Sequence, residues 1–311
     1  LRKSVLIVLL AMFATLGAYG PVSAAQTSDA KIVIIVGATH GETAKYRGYA
    51  DQIYAEAIQY TPNVVKVYSP KATITAVRSA TKNANVVVYL GHGNGFPSPY
   101  GSNPNGYVTK DGFGLNADLN GDGKLSDSEN KYYGEPYIYG AGGTYGAGLQ
   151  FAPNAVVLLF HLCYASGNSE PGQTAPSLSQ AKARADNYAS AFLREGASVV
   201  IADGHNHSGY ITKLFTSGGS LGSVWNSQTR NAHADIVFAP TRSTGTATLD
   251  PDNASSSFYR SIVGNLSVAT SAVSGQMATG SISASRDDET TMVTTQAARA
   301  DRSSGRVMIR R

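Results

Sequence analysis

NAVVLLFHLCYASG, residues 154–167, is the stretch on which the fold turns. Ala155 to Phe160 is an unbroken apolar run of Ala, Val, Leu and Phe. A run this short and this apolar suits a strand buried on both faces of a parallel sheet. It ends at His161-Leu162-Cys163, followed by the small residues Ala165, Ser166 and Gly167. Cys163 is the one cysteine of the chain, which excludes an internal disulfide and a multi-cysteine metal site. It is therefore a buried small hydrophobe or a reactive thiol.

A second stretch has the same form. NVVVYLGHGNG, residues 85–95, is an apolar run that stops at Gly91-His92-Gly93. Ligands of open α/β sheets bind outside the carboxyl ends of the strands. If these two strands are neighbours, His92 and Cys163 meet at one such end. An imidazole beside a thiol can take its proton and later protonate a leaving group.

The surrounding pattern alternates strands and helices. KIVIIVGAT (31–39) reads as the first strand, 42–60 as a helix with Tyr46, Tyr49, Ala50, Ile53 and Ala57 on one face, and 63–69 as the second strand. A weaker helix over 73–84 leads into the third strand. After the fourth strand, 177–195 reads as a helix and ASVVIA (197–202) as a fifth strand. Short helices are expected at 211–215 and 221–225, a sixth strand at 234–239, an edge strand at 246–249 and a short helix at 255–263. Alternation at short connection lengths predicts an α/β three-layer sandwich: a mostly parallel sheet of about six strands with helices on both faces.

The ends differ from the middle. LRKSVLIVLLAMFATLGAYGPVSA has a basic start, an apolar core and small residues before Ala25, the form of a secretory signal peptide over 1–24. Its removal takes Arg2 and Lys3 and lowers the net charge from +4 to about +2. That balance argues against a nucleic-acid partner. The expected location is secreted, extracellular, with no stable membrane association once the signal is gone. Residues 276–311 are polar, lack aromatics and read as a disordered tail, which leaves 25–275 as the folded domain.

Between the third and fourth strands lies a glycine-rich insertion, about 94–152. Loops of that length inside a domain are usually functional. It contains DLNGDGKLSDSE, which places Asp118, Asn120, Asp122, Gly123, Lys124, Ser126 and Glu129 at positions 1, 3, 5, 6, 7, 9 and 12 of a calcium loop. Ca²⁺ takes six to eight oxygen ligands. Side chains at 1, 3 and 5, the carbonyl at 7, a residue or water at 9 and a bidentate Glu at 12 supply them, and the glycine permits the sharp turn. The loop resembles EF-hand and dockerin-type calcium loops. Its flanks lack two long amphipathic helices, so a single bracing loop is expected.

Taken in order, VVVYLGHG and VVLLFHLCYASG resemble the caspase-like cysteine peptidases, the group of caspases, gingipains, clostripain, legumain and separase. The resemblance runs over about 31–240 in element order. It implies a polypeptide substrate, His92 as general base and acid, Cys163 as nucleophile, and an oxyanion hole made by the backbone N–H groups of Gly93 and Cys163. The residue before the cysteine is usually Ala or Gly. Here it is Leu162, which bears on cleft width. His161 reads as a core or supporting residue.

Other histidines keep further readings open. His40 ends the first strand and borders the expected cleft. Asp203 and His205 follow the fifth strand, where Asp203 could receive a basic substrate side chain. His205 and His207, with His92 or His40, would make a three-histidine metal site and a metal-dependent hydrolase. A secreted calcium-binding protein without catalysis is the remaining alternative.

Overall fold

The computed structural model describes residues 28–98, 106–229, 232, 234–252 and 257–275. The expected signal peptide and polar tail lie outside the described residues. In chain order the elements are β1 (Ile32–Val36), α1 (Thr43–Ala57), β2 (Val64–Tyr68), α2 (Ile74–Thr81), β3 (Val86–Leu90), β4 (Phe113–Asn116), β5 (Asn130–Tyr133), α3 (Glu135–Tyr139) and β6 (Ala155–Phe160). They continue with α4 (Leu178–Arg194), β7 (Ala197–Asp203), α5 (Tyr210–Thr216), α6 (Leu221–Asn226), β8 (Ile236–Phe238), β9 (Thr246–Leu249), β10 (Arg260–Gly264) and α7 (Ser271–Ser274).

The central sheet has the order β2-β1-β3-β6-β7-β10-β9-β8. Its first five strands are parallel and β10, β9 and β8 run antiparallel. The α/β class and mostly parallel sheet are as the sequence predicts, with eight strands in place of about six. Val, Ile and Leu fill β1, β3 and β6 because these strands are covered on both sides, and every residue in them is buried. Alternate side chains feed opposite layers. Ile32, Ile34 and Val36 pack with Ala50 and Ile53 of α1, Leu214 of α5, Trp225 of α6 and Val273 of α7. Val33 and Ile35 pack with Val77 of α2, Ile138 of α3 and Phe192 of α4.

Local chemistry starts the longer helices. Ser177 caps α4 by accepting the N–H of Gln180, whose side chain returns to the Ser177 N–H, a capping box. Thr73 caps α2 through the N–H of Ala76. The insertion is partly regular: β4 and β5 form an antiparallel hairpin with the calcium-type loop at its tip. Phe113, Leu115 and Tyr133 of that hairpin join the α2–α4 side of the core.

One local expectation is corrected. The short helix expected at 255–263 is instead strand β10, paired with β7 and β9. The cause is a buried charge. Arg260 stands opposite Asp203 in the β10–β7 register and is 1% exposed. Its guanidinium meets Asp250, donates to the Trp225 carbonyl at 2.8 Å, and brings Nε to 3.5 Å from Asp203 Oδ2. Partners from three other parts of the chain make an arginine tolerable in a core strand. Removing one member of such a set leaves buried charge uncompensated. Arg260→Ala should cost about 3–5 kcal/mol, read as a lower urea midpoint at unchanged slope; an unshifted midpoint would contradict this account.

Candidate active site

β3 and β6 are hydrogen-bonded neighbours with Leu90 opposite Phe160. His92 follows Leu90 by two residues and Cys163 follows Phe160 by three, so both leave the sheet at one edge. The turn at Cys163 is strained. His161 and Tyr164, neither of them glycine, have φ of 53° and 69°. Left-handed backbone at such residues costs on the order of 1–3 kcal/mol and gathers at functional turns. Gly93 sits against this turn: a Cβ there would lie 2.3 Å from the Cys163 carbonyl oxygen. That contact explains why the histidine is followed by glycine.

The two backbone donors singled out in the sequence both act on the thiol: the N–H groups of Cys163 and Gly93 favour its thiolate form. Leu162 turns inward. It is buried in the core on the α2–α4 side, with Cδ1 packed under Gly93. The larger residue before the cysteine therefore fills the interior.

Electrostatics set the resting protonation. Burial pushes the Cys163 thiol up to about 11, Glu170 adds to the rise, and the two N–H groups oppose it. Burial and the neighbouring His40 hold the His92 imidazole below its usual value, with Glu170 acting the other way. The pair at rest is a neutral thiol and a neutral imidazole. The His40 and His92 rings lie 5.5 Å apart between centroids, so the structure brings His40 to the edge of the site.

Two supporting residues escaped the sequence reading. Tyr89, fully buried in β3, places its hydroxyl 3.0 Å from the His92 carbonyl and 2.8 Å from the Gly114 carbonyl, and accepts the Gly114 N–H at 2.9 Å. It ties the segment bearing His92 to the β4–β5 hairpin. A tyrosine inside an otherwise aliphatic strand was the available signal. Glu170 is the carboxylate whose charge acts on both His92 and Cys163, and it accepts the Tyr164 hydroxyl at 2.7 Å. Nothing in its local sequence marks it.

The residues after β7 are placed differently from expectation. Asp203 is 1% exposed, and the base it receives is Arg260 of its own chain. It also accepts the N–H groups of His205 and Asn206 and the Tyr210 hydroxyl. Its role as a substrate carboxylate is thereby corrected to an internal one. His205 turns to Asp252, 3.2 Å away, and its ring lies tilted by 43° against Tyr259, 4.0 Å between centroids. His207 turns the other way, to His161 and Tyr49. The three-histidine set is not assembled, and among the described residues no three His, Cys, Asp or Glu side chains gather closely enough to hold a metal.

The calcium-type loop coils on its own oxygens. Asp118 accepts the N–H groups of Gly121 and Gly123, Asn120 that of Asp122, and Asp122 that of Lys124. Glu129 reaches back to the N–H groups of Leu119 and Asn120 and to the Ser126 hydroxyl. Gly121 and Gly123 have φ of 75°, where a side chain would strain the turn. With the Lys124 carbonyl, the donor set is all oxygen, the chemistry a hard cation takes, but the carboxylates of Asp118, Asp122 and Glu129 accept the loop's own N–H and O–H groups and are not gathered around one point. The loop exit is joined to the site. The Asp127 carbonyl accepts the His40 N–H at 3.0 Å, and its carboxylate accepts Arg47 at 2.6 Å and Ser69 at 2.7 Å.

No protein family, curated protein or solved structure was found to match this chain.

The resting state has a chemical consequence. Only thiolate reacts with iodoacetamide, so a thiol at about 11 should be alkylated slowly at neutral pH. The rate should then rise about tenfold per pH unit to pH 9 and beyond. A plateau starting near neutrality would mean that the thiolate and imidazolium already exist as a pair.

Proposed function

We propose that this chain is a secreted caspase-like cysteine endopeptidase acting through His92 and Cys163. The observation that carries the reading is the in-register pairing of β3 with β6, which ends both strands at one edge; the pull of the Gly93 and Cys163 N–H groups toward the thiolate supports it. Secretion rests on the sequence over 1–24. Among the described residues no helix is long and apolar enough to cross a membrane.

The chemistry follows from the neutral resting pair. As a peptide carbonyl approaches, His92 takes the thiol proton and the sulfur pair forms the bond to carbon. The carbonyl π pair moves to oxygen, where the Gly93 and Cys163 N–H groups stabilise the charge. The intermediate collapses, the C–N bond breaks, and the His92 imidazolium gives its proton to the departing amine. Water then attacks the thioester with His92 as base, and the carboxylic acid and free thiol leave. The raised thiol pKa means that proton transfer accompanies attack. The same high value is what favours the competing reading, a non-catalytic secreted calcium-binding protein on this sheet.

Ca²⁺ in the loop of Asp118, Asn120, Asp122, Lys124, Ser126 and Glu129 would neutralise its carboxylates and brace the insertion. The Asp127–His40 link carries that bracing to the end of β1.

Two experiments test this. On a mixed peptide library with calcium present, wild type should produce cleavages that Cys163→Ala and His92→Ala both lack. Equal patterns from wild type and Cys163→Ala would remove the assignment, and no cleavage by wild type would favour the non-catalytic reading. Separately, Ca²⁺ should raise the melting temperature of wild type, a hundredfold excess over Kd adding about 2.7 kcal/mol. Glu129→Ala should lose most of that rise, and a wild type indifferent to Ca²⁺ would end the calcium assignment.

A further inference from the structure

At the carboxyl end of β6, beside the candidate active site, two imidazoles face each other. His161 Nε2 lies 3.1 Å from His207 Nδ1. Tyr49 of α1 stacks against both rings, 4.9 Å from the His161 centroid and 4.2 Å from that of His207, with planes inclined 26° in each case. Both residues are partly exposed.

The outer nitrogens decide what the inner ones can do. The Gly204 backbone favours the protonated form of the His161 ring, and with Nε2 turned to His207 the outer nitrogen of that ring is Nδ1. On the other ring, His207 Nε2 lies 3.1 Å from Gln52 Oε1. At rest one inner nitrogen donates to the other across this 3.1 Å contact; with the ring protons moved to the outer nitrogens, both inner nitrogens turn lone pairs to one point. Histidines that hold metals typically donate the outer N–H to a carbonyl or carboxylate in this way. A tetrahedral metal with bonds of about 2.0–2.1 Å sets two nitrogens about 3.3–3.4 Å apart. The observed spacing is a few tenths short of that.

We propose that His161 and His207 form a binding site for a borderline transition-metal ion such as Zn²⁺, with water completing its coordination. Imidazole nitrogens suit Zn²⁺, Ni²⁺ and Cu²⁺, and distinguish this pair from the all-oxygen calcium loop. A bound ion would clamp the end of β6, two residues before Cys163, to the loop after β7. The site stands independently of whether Cys163 is catalytic.

The test uses full-length protein carrying Cys163→Ala, so that the thiol cannot bind metal, with Ca²⁺ in excess to occupy the oxygen loop. Zinc sulfate should raise the melting temperature and give a one-to-one calorimetric titration. Adding His207→Gln, which keeps a hydrogen-bonding side chain without the imidazole, should abolish both signals. Adding His205→Ala should leave both intact. The melting temperature of each metal-free variant checks that it is folded. If His207→Gln is not folded, Gln52→Leu replaces it and should weaken Zn²⁺ binding about 10–100-fold by removing the outer support of His207. No Zn²⁺ binding in the parent, or binding undiminished by the His207 change or its Gln52 substitute, would overturn the site.

Discussion

The registered pairing of β3 with β6 is the constraint on which the site depends. Leu90 opposite Phe160 sends two chain segments out of the sheet at one level. A slip of one residue would turn every side chain of either strand to the other layer, and both layers are filled with apolar side chains. The register is therefore held by the whole core. The position of His92 relative to Cys163 inherits that rigidity.

Polar groups buried around this edge finish the placement. Tyr89 fastens the backbone of His92 to the β4–β5 hairpin, and Arg260 joins Asp203 and Asp250 beneath the loop after β7. Asp127 joins the calcium-type loop to His40, whose ring neighbours His92. Each of these spans elements far apart in sequence. Burial that protects the thiol also raises its pKa, so the same packing that positions Cys163 keeps it protonated at rest.

The candidate site was legible only in part. His92, Gly93 and Cys163 stood out because apolar runs stopped at them. The oxygen spacing from Asp118 to Glu129 was legible because a loop ligand set is local. Asp203 misled, since a carboxylate at a strand end reads alike whether it faces a substrate or a buried arginine. Glu170 and the pairing of His161 with His207 were invisible, because their partners come from separate loops. The split of His205 from His207 follows from the turn after β7, which sends neighbouring rings to opposite sides.

For the fold, periodicity and composition by themselves determined the class. Continuous Val, Ile and Leu runs require a sheet covered on both faces, and helical stripes between them supply the cover. Tertiary structure alone decided that β10 is a strand and that β10, β9 and β8 pair antiparallel; the strands at 236–238 and 246–249 themselves were legible in the sequence. A strand such as Arg260–Gly264 carries an inward charge that no local rule favours, and it exists only because Asp203 and Asp250 are brought to meet it. Local sequence encodes which residues avoid water, whereas the pairing of buried charges and ring nitrogens is set by contacts between segments distant in the chain.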